Sequence, residues 1–155
     1  MKETRNEWVR ALTAHPPEMI TSLAQRIVKD DWKLIHLELP QTGLGMLKLA
    51  DGAFNEPYYL GEFPLARCHV RLILPDEQTA EGGAHIMTDD TELAESLAIL
   101  DGVLAERLPG WEEVAALVKS GIDRRVEEHL ERCALLSATR VDFSLLGTAE
   151  EEDED

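Results

Sequence analysis

Apolar residues change their spacing along the chain, and each change marks a predicted boundary between elements. Trp8 and Leu12 sit one helical turn apart in "RNEWVRAL". "HPPEMITSLAQRIVKD" then restarts the helical pattern, with prolines where a first turn accepts them. Two short N-terminal helices are predicted. Met19, Ile20, Leu23 and Ile27 share one face of the second, while Glu18, Gln25, Arg26 and Lys29 are left to water. From Trp32 the period drops to two: Ile35, Leu37 and Leu39 alternate with Leu34, His36 and Glu38 until "PQTG" supplies turn residues. Further strands are predicted over 44–50, 56–62, 65–74 and 81–88, at intervals that suit hairpins rather than crossovers.

The helical period returns in "TDDTELAESLAILDGVLAERLPG", which opens on capping residues and closes on Pro109 and Gly110, with Leu93, Leu97, Leu100 and Leu104 in step. Trp111, Val114, Val118, Ile122, Val126, Leu130 and Cys133 carry the pattern into a helix long enough to reach beyond a small sheet, with Gly121 as its weak point. "ATRVDFSLL" then alternates Val141, Phe143 and Leu145, an extended segment that needs a surface to cover it. The predicted class is α+β: an antiparallel β-sheet meander with N-terminal helices and two longer C-terminal helices packed on one face. One domain is expected over 1–148, and 149–155 is expected to be an acidic, disordered tail.

Charge narrows the function classes. Among 155 residues, 31 are acidic and 15 are Lys or Arg, for a net charge of −16. Nonspecific binding to nucleic acid or to an anionic membrane is therefore not expected, whereas a basic partner or a local basic pocket is compatible. Glu150 to Asp155 are all acidic; such a run repels itself and reads as a solubilising tail. Cys68 and Cys133 have no CxxC spacing, the N-terminus has no apolar signal region, and no apolar run approaches a membrane span. A cytoplasmic protein with free thiols is expected. No repeat suggests a solenoid.

Candidate chemistry concentrates in one strand. Arg67, His69 and Arg71 fall on alternate residues and so project from one face, with Cys68, Val70 and Leu72 on the other. Guanidinium forks suit phosphate or carboxylate oxygens, so the row fits a phosphorylated ligand, or glutamates of a neighbouring strand or partner. The pairing reading is favoured because cross-strand charge pairs are common. Cys68 and His69 point to opposite faces and should not share a metal; His36, His85 and His129 stand alone. "EGGAHIMTDD" lacks the GxGxxG pattern and a Walker lysine, so Gly82 and Gly83 suggest a tight turn or close backbone packing. GxSxG and HExxH are also missing, and no catalytic set stands out. Of Tyr58 and Tyr59, one ring is expected in the core and the other exposed or at a contact. Aromatic and arginine side chains together favour an interaction module.

Three ordered blocks carry a resemblance. "RNEWVRAL", "PQTGLGMLKLADGAFNEPYYLGEFPLARCHVRL" and "RCALLSATRVDFSLL" make the chain similar to the G subunit of the bacterial carbon-phosphorus lyase system, from about residue 5 to 147. The resemblance implies cytoplasmic use of phosphonates, within a core complex of G, H, I and J subunits joined by an ATP-binding-cassette type partner. That machinery replaces the adenine of ATP with a phosphonate, giving a ribose 1-phosphonate 5-triphosphate. Nucleosidase chemistry belongs to the I subunit, and radical cleavage with S-adenosylmethionine and an iron-sulfur cluster to the J subunit. The G subunit is a required but non-catalytic member that binds no cofactor of its own, ATP and phosphonate being substrates of the complex. The missing cysteine cluster and nucleotide loop agree with that division. The acidic tail departs from the family pattern. On this reading Arg67, His69 and Arg71, with Tyr58 and Tyr59, are an assembly surface first and anion contacts second. Arg140, Val141, Asp142 and Phe143 are further partner contacts. The alternative is a free-standing anion-binding protein or enzyme that uses the Arg67/His69/Arg71 row.

Overall fold

A computed structural model describes residues 4–139 of the chain. The extended run predicted after Thr139, the candidate contacts Arg140, Val141, Asp142 and Phe143, and the acidic tail lie outside the described residues. Seven elements follow in order: α1 (Arg5–Leu12), α2 (Pro17–Ile27), β1 (Lys33–Ala50), β2 (Pro57–Ile73), β3 (Thr79–Ile86), α3 (Thr91–Ala105) and α4 (Trp111–Ala138). The strands form one antiparallel sheet in the order β1-β2-β3, and helices cover one of its faces. This is the α+β meander that the alternation predicts.

The helices start where their sequences satisfy free backbone groups. The Thr4 N–H donates to the Glu7 carboxylate at 2.9 Å, a bond that also holds Glu7 below its ordinary pKa. Pro17 opens α2, where no N–H is needed. The Leu93 N–H donates to Asp90 Oδ1 at 2.9 Å, capping α3. In α2 the buried stripe is Ile20, Leu23, Ala24 and Ile27. Met19, expected on that stripe, is 47% exposed, because the roughly 100° step per residue carries it off the edge of the face centred on Ile20 and Leu23.

The strands differ from expectation in number. Two predicted pairs of short strands are each one long strand, since β1 runs through Pro40–Gly43 and β2 through Phe63 and Pro64. Register shifts between His36 and Glu38 and between Glu38 and Gln41 absorb Leu39 and Pro40 as irregularities of the pairing. A proline is tolerated there because its missing N–H breaks no regular ladder bond. β3 pairs only with Ala66–Ile73 of β2. Beyond it, Thr42–Ala50 and Pro57–Leu65 continue as a two-stranded arm, roughly 30 Å long at ~3.3 Å per residue.

Ala66, Cys68, Val70 and Leu72 of β2 point at the helices and are at most 1% exposed. Against them lies α3, buried almost all round by Leu93, Ala94, Leu97, Ala98, Leu100 and Val103. Contact between β3 and α3 is backbone to backbone: a methyl group at Gly82 would run into the Ala98 carbonyl oxygen and the Gly102 N–H. Close packing, not a turn, is what Gly82 serves. The α4 helix stacks behind α3 and crosses α1 at Gly121, where a methyl would strike the Ala11 carbonyl oxygen.

That crossing reverses the sign expected for a substitution. By helix propensity, Gly121→Ala gains about 1 kcal/mol. The crowded crossing costs about 1–3 kcal/mol in overpacking, so the net change in urea unfolding is a loss. A raised unfolding midpoint would mean that α1 and α4 separate without cost.

Candidate functional site

Alternation in β2 sends Arg67, His69 and Arg71 to the face that carries no helices. The structure brings the row together, and it brings carboxylates with it. Arg71 donates through Nε to Glu81 Oε1 at 2.9 Å, and its NH2 lies 2.5 Å from the same oxygen. Arg67 lies 2.9 Å from Glu38, and His69 3.8 Å from Glu81. Arg71 and Glu81 are direct partners in the antiparallel register, so the pair follows from the pairing itself. The hydrogen bond from Arg71, and then its charge, hold the Glu81 carboxyl below its ordinary value. Exposed pairs of this type add little to stability. Neither glutamate was among the sequence-derived candidates; cross-strand register, which assigns them, is a tertiary quantity.

Tyr58 and Tyr59 lie on the arm, 45% and 60% exposed. The expected core ring is therefore missing: both rings face outward, because no element of the described chain covers this part of β2. Around them Leu44 is 69% exposed, Met46 60% and Leu60 63%, and Phe54 at the tip is 81% exposed. The tip is well formed. Asp51 Oδ1 accepts the N–H groups of Ala53 at 3.2 Å and Phe54 at 2.6 Å, and the latter bond chiefly lowers the Asp51 pKa. Across the arm, Phe63 faces Gly45 directly and its ring fills the space a side chain would need there. A readable signal exists in "GMLKLA" and "YYLGEF", where apolar residues occupy consecutive positions, the pattern of a strand covered on both faces.

Cys68 faces the core at 1% exposure, opposite His69, so the two share no metal, and no group of three or more metal-capable side chains occurs among the described residues. Burial first, then the charges of Glu95 and Glu38, push the Cys68 thiol up to about 11. Cys133 is exposed on α4, 3.6 Å from His129 Nε2. His36 pairs with Glu95 at 2.7 Å. The buried polar groups serve structure: Asp101 accepts from Arg5 NH2 at 2.7 Å and from the Gly83 N–H at 3.0 Å, and His15 Nε2 lies 2.9 Å from the Leu117 carbonyl oxygen.

The arrangement defines a helix-backed antiparallel meander from which a paired, apolar arm extends without cover among the described residues. The chain belongs to the PhnG family of phosphonate metabolism proteins, whose family model matches residues 3–147. No curated protein matches it. No helix among the described residues is long and apolar enough to cross a membrane.

Two thiols in such different settings give a direct check. At pH 8 an alkylating reagent modifies Cys133 in the folded chain and spares Cys68 until denaturant is added. A thiol with an ordinary value of 9.0 and a folded value of about 11 keeps its proton longer when folded. Its contribution to stability is therefore whole below about pH 9 and lost as pH rises toward 11. In Cys68→Ala the urea midpoint loses that part of its alkaline slope; an unchanged slope would place the thiol in water. At the acid end the sign is opposite, since Glu81 is depressed and its contribution fades as pH falls below the ordinary carboxylate range.

Proposed function

We propose that this chain is an accessory subunit of the carbon-phosphorus lyase core complex, assembling with the H, I and J subunits and an ATP-binding-cassette type subunit in the cytoplasm. There it supports ATP-dependent formation of a ribose 1-phosphonate 5-triphosphate with release of adenine. Membership of the PhnG family supports a role in phosphonate metabolism. The observation that carries the subunit role is the arm: Leu44, Met46, Tyr59 and Leu60 lie uncovered on a ribbon of two strands. Two strands alone are marginally stable in water, and a concentrated apolar surface of this kind marks an interaction site. The partners carry the bond-making chemistry, and ATP and phosphonate are their substrates, with no cofactor held on this chain.

The Arg67/His69/Arg71 row has its place in the same assembly. Arg67 and Arg71 already hold Glu38 and Glu81, so an incoming anion would have to displace a carboxylate at each fork. A polar, charge-paired face beside an apolar arm matches the rim and centre of a protein interface.

Co-expression with the H, I and J subunits, followed by size-exclusion chromatography and mass spectrometry, tests this. The wild type co-elutes in a defined heteromer. With Leu44, Tyr59 and Leu60 all changed to serine, partner affinity falls at least about a hundredfold, as expected for loss of central apolar anchors. Its own unfolding changes little, because none of the three is in the core. Arg67→Ala with Arg71→Ala gives a smaller loss that disappears at high salt. If the partners assemble without the wild-type chain, the subunit role is wrong, and ATP or phosphonate binding by the isolated chain becomes the reading to measure.

A further inference from the structure

The second half of α4 has no cover among the described residues. Val114, Val118 and Gly121 are buried, but Val126 is 54% exposed, Leu130 63%, Leu135 70% and Leu136 64%. Where this overhang leaves α1, a groove of about 350 Å³ opens, with Ala11, Ile122, Val126 and Leu130 in its lining. Beside it a polar recess of about 290 Å³ is lined by Arg10, Arg125, Glu128, His129 and Arg132.

Arg125 is engaged, with Glu128 at 2.9 Å and Thr13 Oγ1 at 3.3 Å. Arg10 and Arg132 make no ion pair among the described residues, so the recess gathers three arginines against one glutamate, Glu128. The groove thus asks for apolar side chains, and the recess for negative charge. Both occur in order in residues 140–155: Val141, Phe143, Leu145 and Leu146, then the six acids Glu150 to Asp155.

We propose that this segment is the occupant: residues 141–146 cover the overhang of α4, and the acidic run 150–155 sits against Arg10, Arg125 and Arg132. Reach allows it. From the end of α4 at Ala138 back to Arg125 is about 20 Å along the helix axis, at ~1.5 Å per residue. Residues 139–149 span about 36 Å when extended, enough for a reversal and the return. Tethering sets the effective concentration near millimolar, so contacts too weak to hold a free peptide hold this one. A second copy is the poorer occupant, since two chains of charge −16 repel. This inference does not depend on the chain's role in a complex.

Hydrogen exchange of the full-length chain reads the contact directly. Amides of residues 126–136 exchange about tenfold faster in a chain ending at Gly147 with Val141, Phe143, Leu145 and Leu146 changed to serine than in the wild type. Replacing the six acids by Asn and Gln, or making Arg10→Gln with Arg132→Gln, gives part of that acceleration without touching a core residue, and 0.5 M salt does the same to the wild type. A synthetic peptide of residues 140–155 restores protection to the altered chain only at about millimolar concentration, the level that tethering supplies. Exchange of α4 that is equal in all variants overturns the proposal. So does protection that rises with protein concentration, which would identify a second copy, or protection that appears only when other proteins are added.

Discussion

Everything in the fold is hung from one approach of backbone to backbone, that of β3 to α3. Gly82 and Gly102 leave no side chain between strand and helix, so the two come closer than a sheet and a helix usually do. This sets Asp101 against the Gly83 N–H at 3.0 Å. A carboxylate at 4% exposure needs compensation, and Arg5 supplies it with NH2 at 2.7 Å from Asp101 while also donating to the Glu81 carbonyl oxygen at 2.8 Å. The hydrogen bond to Asp101 raises Arg5 above its ordinary value, the expected response of a cation held by a buried anion. One contact therefore joins the first helix, the last strand and the central helix.

From that fixed end the long elements project. The inner half of β2 is clamped between β1 and β3 with its apolar side on α3, whereas its outer half pairs only with β1. The first part of α4 is locked to α1 at Gly121, and the remainder runs on with its leucines exposed. Each long element is anchored at one half and presents the other. A small core thus secures two apolar surfaces that call for cover.

Electrostatics keeps those surfaces selective. The chain is strongly acidic, and the arginines on the open sheet face are matched to glutamates one strand away. Such pairs add little stability, but they penalise a partner that brings the wrong charge. Beside α4 one recess gathers Arg10, Arg125 and Arg132 with Glu128 and His129.

The helices were legible in the sequence because their signals are local: Asp90 before Leu93, prolines at the start of α2, and leucines in helical step through α3. The facing of Arg67, His69 and Arg71 away from Cys68 was legible for the same reason, since alternation is a property of consecutive residues. Strand continuity was not. "PQTG" reads as a turn, and only pairing with β2 shows that a bulge carries β1 through it. Nor were the partners of the arginines, because Glu38 and Glu81 are neighbours through register rather than through spacing. Gly121 makes the division plainest. The sequence by itself determined that α4 has a residue of poor helix propensity, and only the crossing with α1 decided that this residue is required, because the Ala11 carbonyl occupies the space of its missing side chain.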